Sequence, residues 1–125
     1  MMIEKIESKE VPAAVGPYSQ ALACGGFIFV SGQLPIDPAD GSMAPDIEGQ
    51  TRRSLQNLEA VLKEAGSSLD KVLKTTVLLN DIADFGKMNE VYASFFTGVC
   101  PARVCFQAAA LSKGALVEID AVAVK

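Results

Sequence analysis

Apolar residues recur at two different spacings along this chain, and the change of spacing marks out its elements. Between residues 47 and 65, Leu55, Leu58, Leu62 and Ala65 fall at helical intervals. Arg52, Gln56, Glu59 and Lys63 form the solvated face of that helix. Asp46 is placed to cap its start, and Gly66 to end it in the left-handed conformation. A second helix is predicted over residues 85–96, with Asp84 as its cap and Phe85, Met88, Tyr92 and Phe95 on one core-facing stripe; Asn89 lies at the edge of that stripe. Gly98 and Pro101 end the segment.

The remaining apolar stretches read as strands. Residues 72–79 are rich in Val, Leu and Thr. Residues 21–24 and 27–31 flank Gly25-Gly26, the chemistry of a tight hairpin turn. Residues 1–11 alternate weakly and suggest an edge strand ended by Pro12. Residues 15–20 are turn-rich, and residues 35–45 read as a surface loop. Two further strands lie within residues 101–120, separated by a turn carrying Ser112, Lys113 and Gly114.

Helices alternating with strands in this order predict a two-layer α+β fold, one mixed sheet with both helices on one face. At 125 residues the chain is expected to form a single domain spanning 1–125. The uncovered sheet face would still carry many apolar side chains, which predicts a homo-oligomer that buries it.

Composition narrows the chemistry. Eleven basic against fifteen acidic residues leave a net charge of −4, and Arg52-Arg53 is the one adjacent basic pair. A nucleic-acid partner is not expected from this balance. The chain has no histidine, which removes Ser-His-Asp and Cys-His catalysis and His-based zinc sites. Cys24, Cys100 and Cys105 lack CxxC spacing, so neither a metal site nor a disulfide framework is expected. Free thiols, no signal peptide and no long apolar run point to a cytoplasmic protein without a membrane span.

Parity along the last two strands groups the reactive side chains. Arg103, Cys105 and Gln107 share one face of their strand, and Val104 and Phe106 the other. On the final strand Glu118 and Asp120 oppose Val117, Ile119 and Ala121. A guanidinium, a thiol and a carboxylate on stiff strands suggest a polar face that lines a site.

Six segments then carry a resemblance across nearly the whole chain: Gly16-Pro17-Tyr18-Ser19-Gln20-Ala21, Val30-Ser31-Gly32-Gln33, Asn57-Leu58, Asn89-Glu90-Val91-Tyr92 before Phe95-Phe96, Pro101-Ala102-Arg103, and Val117-Glu118-Ile119-Asp120. In this order and spacing the chain resembles the RidA (YjgF-like) family of reactive-intermediate deaminases. The resemblance implies a chorismate-mutase-like fold and a homotrimer with a barrel-like centre and ligand clefts between subunits. It implies hydrolysis of 2-aminoacrylate and 2-iminobutanoate to 2-oxo acids and ammonia, with no cofactor. Carried over residue by residue, it implies a site of Tyr18, Ser31, Asn89, Arg103, Cys105 and Glu118. Leu111-Ser112 departs from the family's usual Leu-Pro, a change that loosens the loop before the last strand.

Within that reading, the forked guanidinium of Arg103 suits the substrate carboxylate; otherwise it is a surface ion-pair partner. Glu118 would position water and carry a proton, its pKa raised in an apolar cleft; otherwise it is a carboxylate keeping a sheet edge soluble. Cys105 would line the imine pocket, or be inert core, or act as a nucleophile if Arg103 lowered its pKa. Tyr18 and Ser31 would supply the pocket wall and hydrogen bonds, and Asn89 would orient a neighbour. Phe85, Tyr92 and Phe95 read as core. A non-catalytic trimer binding 2-oxo acids is the competing reading, with RNA cleavage or translation inhibition behind it.

Overall fold

The structure is a computed structural model, which describes residues 2–125. Six strands form one sheet: β1 (Glu4–Ile6), β2 (Ala21–Cys24), β3 (Phe27–Gln33), β4 (Val72–Leu79), β5 (Ala102–Gln107) and β6 (Val117–Val124). Their spatial order is β1-β2-β3-β6-β4-β5. All neighbours pair antiparallel except β4 and β5, which run parallel. A parallel pair needs a long crossover, and helix α2 (Phe85–Phe95) supplies it. Helix α1 (Ile47–Glu64) joins β3 to β4. The two-layer α+β architecture with both helices on one sheet face is as expected.

Burial follows the predicted alternation. On β6, Val117, Ile119, Ala121 and Ala123 face the helices and are buried, while the residues between them are half-buried on the open face. Against them α1 presses Leu55, Leu58, Val61 and Leu62, all completely buried. Each such side chain contributes roughly 1.5–3 kcal/mol. On the open face Leu22, Phe27, Phe29, Val104 and Phe106 remain exposed, so the apolar surface expected there is present.

Helix α1 also buries a polar set that its hydrophobic stripe does not reveal. The Asn57 Nδ2 donates to the carbonyls of Leu34 and Ile36, both at 3.0 Å. Ser54 Oγ donates to the Gln33 carbonyl at 3.0 Å. Gln50 donates to the Ala44 carbonyl and accepts the Leu116 N–H at 2.7 Å. These bonds fasten the loop after β3 and the loop before β6 to one rigid helix.

The ends of the helices agree with expectation in full in one case and in position only in the other. Asp46 accepts the Gly49 N–H at 3.3 Å, and Gly66 follows the helix at φ 80°. Asp84 stands immediately before α2, as expected of its cap, but its side chain makes no capping bond: it closes a 3₁₀ turn (Ile82–Asp84) that runs directly into the helix. Asp81 caps that turn instead, accepting the Ala83 N–H at 2.9 Å. The N-terminal edge strand is shorter than predicted and stops well before Pro12; Met1 lies outside the described residues. The reason is Gln20, whose side chain accepts the Ser8 N–H at 2.7 Å and donates to the Ser8 and Pro12 carbonyls. Those bonds occupy backbone groups that a longer strand would need. At Ser112 the loop keeps a 3₁₀ turn (Ser112–Gly114), closed by the Ala115 N–H on the Ser112 carbonyl at 3.1 Å.

Candidate active site

The implied site residues fall into two groups, placed apart by strand register. Arg103 on β5 aligns with Thr75 on β4, which aligns with Ala121 on β6; Cys105 aligns with Val77 and Ile119. That whole row faces the helices. Glu118 aligns with Leu78, which aligns with Phe106, on the open face. The expectation that guanidinium, thiol and carboxylate share one face is therefore not met within a protomer. Parity within a strand cannot show this, because β4 inserts between the last two strands and its register sets which parity class faces which layer. Two strand spacings, about 9.5 Å, separate β5 from β6 as well.

The first group is built around Arg103. Its Nη1 donates to Asn89 Oδ1 at 2.7 Å. Its guanidinium carbon lies 4.8 Å from the Tyr92 ring centre and 5.5 Å from that of Phe85. The cation is thus clasped by two rings and one neutral acceptor. Among the described residues the salt bridges are Lys5–Glu7 and Lys125–Glu4, so Arg103 is no surface ion-pair partner there. The role expected of Asn89, orienting a neighbour, is matched by a bond to Arg103. Phe85 is not core: it is 38 % exposed and covers the guanidinium. Tyr92 is buried as expected, yet it touches the candidate functional group.

Cys105 sits two residues along the same row, half-buried. Burial pushes its thiol pKa up, and the nearby Arg103 charge opposes this without overcoming it. A raised pKa leaves little thiolate at neutral pH, which disfavours a nucleophilic role. Under the imine hydrolysis that the resemblance implies, Cys105→Ala is expected to retain most of the wild-type kcat.

The second group, Glu118 with Tyr18 and Ser31, is linked through Gly32, which lies against Glu118, lines a pocket with Tyr18 and follows Ser31 in the chain. Glu118 occupies a strand flanked on both sides, so the role of keeping an edge soluble does not apply. Burial raises its pKa above the ordinary 4.5, and the Asp120 carboxylate two residues on raises it further. Asp120 itself accepts the Thr76 N–H at 3.0 Å, which holds it in place. Gly32 lies against Glu118: a Cβ at that position would collide with the carboxylate Oε2. Gly32→Ala is expected to fold, because the flexible end of the glutamate can swing away. Under the hydrolysis that the resemblance implies, its rate should drop at least about tenfold as the carboxylate leaves its position, read by kcat/KM beside the thermal midpoint.

Tyr18 is half-exposed and lines an open depression together with Ser31 and Phe29. Its backbone N–H donates to the Gly16 carbonyl at 2.9 Å, bending the loop that presents the ring. Ser31 Oγ donates to the Ser19 carbonyl at 2.6 Å. Its proton is committed to holding that loop, so the hydroxyl faces a ligand as an acceptor. Gly32, Tyr92 and Thr75 were not singled out as site residues from the sequence. For Tyr92 a signal existed, since it lies three positions from Asn89 on one helix face.

Comparisons with known proteins agree with this architecture along its whole length. The family model described as endoribonuclease L-PSP matches residues 8–125. A RutC family protein from Sinorhizobium fredii is 52% identical over 122 residues, covering 97% of each chain. The 2-iminobutanoate/2-iminopropanoate deaminase of Mus musculus is 46% identical over 121 residues, covering 96% of this chain and 90% of the mouse protein. The crystal structure of E. coli TdcF with bound serine superposes with a TM-score of 0.94 at 39% identity, covering 98% of both chains. Sheet order, helix placement and near-complete sequence match leave one assignment: the chain belongs to the endoribonuclease L-PSP family, that is, the YjgF/RidA family.

Proposed function

We propose that this protein hydrolyses small 2-imino acids and their enamine tautomers, of the 2-aminoacrylate and 2-iminobutanoate type, to 2-oxo acids and ammonia. The observation that carries the proposal is the clasped Arg103, a cation held at 2.7 Å by a neutral side chain and with no carboxylate partner among the described residues. A substrate carboxylate is the partner it lacks. The mouse relative named 2-iminobutanoate/2-iminopropanoate deaminase supports the same substrate class.

The reaction adds water across C=N and then expels nitrogen. Glu118 takes a proton from the attacking water as oxygen bonds to the imine carbon. With the imine nitrogen protonated at the start, Glu118 returns that proton to the amino nitrogen. As the C–N bond then breaks and ammonia leaves, it takes the proton of the remaining hydroxyl, which becomes the carbonyl, and passes it to the ammonia as ammonium. A carboxyl group with a raised pKa suits both transfers, because a catalytic pKa nearer the working pH carries protons in either direction. Cys105 and Ser31 line the pocket, and Tyr18 forms a wall. No cofactor enters this scheme.

Because one protomer holds Arg103 and Glu118 on opposite sheet faces, the proposal includes a homotrimer. A second copy packed on the open face buries Phe29, Val104 and Phe106 and brings the Glu118 group of one subunit to the Arg103 group of the next. Work in the cytoplasm on small metabolites, with no nucleic-acid partner, completes the proposal. Among the described residues no helix is long and apolar enough to cross a membrane.

The decisive assay couples a threonine dehydratase to this protein and follows 2-oxobutanoate. Faster appearance with wild type, lost with Arg103→Ala, supports hydrolysis. The competing reading, a trimer that binds small acids without turning them over, draws support from TdcF with bound serine. It requires tight binding of 2-oxobutanoate with no acceleration. The family name endoribonuclease L-PSP raises RNA cleavage, which the lack of histidine and the net charge of −4 disfavour.

A further inference from the structure

Arg103 is held by α2 at three points, Phe85, Asn89 and Tyr92, and the last of them depends on a buried hydroxyl pair. Asn89 and Tyr92 stand three residues apart on that helix, the first bonding the guanidinium edge and the second lying under its face. A ring beneath a cation sets its height, but a ring free to tilt does not set its plane. Tyr92 is not free. Its ring meets Phe96 with centres 4.7 Å apart, and its hydroxyl pairs with Thr75 Oγ1 at 2.7 Å. Thr75 is fully buried and Tyr92 nearly so. Thr75 is also the β4 residue in register with Arg103.

A valine at 75 and a phenylalanine at 92 would fill the same space without burying polar atoms. Two hydroxyls in a core add direction, not area. We infer that the Thr75–Tyr92 hydroxyl pair is a positioning device for Arg103, fixing the plane in which its guanidinium meets the substrate carboxylate. This rests on the imine-hydrolase reading above, in which Arg103 binds that carboxylate. In this role the Thr75–Tyr92 hydroxyl pair, which is buried beneath the ring, acts through the arginine.

The test compares wild type with Thr75→Val, Tyr92→Phe, the double variant, Thr75→Ser and Arg103→Ala. Readouts are steady-state imine hydrolysis, equilibrium binding of 2-oxobutanoate and of the uncharged 2-oxobutanamide, and thermal midpoints. Each single variant is expected to raise KM and the 2-oxobutanoate Kd about two- to tenfold, the loss of one hydrogen bond, with kcat nearly unchanged. Preference for the acid over the amide should shrink by the same factor. The double variant should be no worse than the singles, since both cut one link. Thr75→Ser keeps a hydroxyl and should bind like wild type.

A lowered thermal midpoint with KM and acid-over-amide preference unchanged would make the pair simple core packing and overturn the inference alone. Binding of 2-oxobutanoate by Arg103→Ala as tight as wild type would overturn the imine-hydrolase reading, and the inference with it.

Discussion

Glu118→Gln is expected to fold normally and to lose about 10²–10⁴-fold in kcat, the usual contribution of a positioned proton carrier. Glutamine matches glutamate in size and still packs on Gly32, so geometry survives while proton transfer does not. The pH–rate profile provides the second check. In the wild type, activity that needs the carboxylate form falls as pH drops through a Glu118 pKa that lies above the ordinary 4.5. The variant's residual rate should lack that limb. Unchanged turnover in Glu118→Gln would remove Glu118 from the chemistry.

The same substitution has an opposite effect on stability. A carboxyl whose folded pKa is raised binds more protons folded than unfolded between the two values, so stability falls as pH rises through that window. Above it the fold bears the charge of Glu118 beside that of Asp120. Glu118→Gln is therefore expected to have an equal or higher thermal midpoint than wild type at neutral pH. The advantage should fade as pH falls below the ordinary 4.5, where Glu118 becomes protonated in both states. Lost activity with retained or raised stability is the pattern of a group kept for function.

Arg103→Lys keeps the charge and is expected to lose about ten- to a hundredfold in kcat/KM, mostly in KM. The lysine ammonium cannot present two parallel N–H groups to a carboxylate, nor lie flat between Phe85 and Tyr92. The loss corresponds to the roughly 1.5–3 kcal/mol of a charge-assisted hydrogen bond. Equilibrium titration with 2-oxobutanoate measures it directly. Wild-type affinity in Arg103→Lys would mean that charge alone suffices and that the clasp has no role in recognition.

Local pattern made much of this molecule legible. Leu55, Leu58 and Leu62 announced α1, and Asp46 and Gly66 its limits, because a helix end has few ways to satisfy its free backbone groups. Gly25-Gly26 announced the β2–β3 turn, where both residues take positive φ. Asp84 does precede α2, but the capping bond is made one turn earlier by Asp81, because aspartate caps 3₁₀ turns by the same bond that it makes to α-helices. Phe85 was misread as core because its position on the stripe is apolar, and hydropathy does not register a guanidinium lying on a ring.

From its residues alone this protein's elements, its apolar faces and its stock of chemistry were already determined: no histidine, one strand arginine, and a glutamate on the last strand. These follow from contacts a few residues apart, which periodicity and capping record directly. Which groups meet was decided only in three dimensions. The insertion of β4 between β5 and β6 places Arg103 with Thr75 and Tyr92 on the helix side, and Glu118 with Gly32 on the other. Strand order and register arise from packing between distant segments, and no local pattern in the chain carries them.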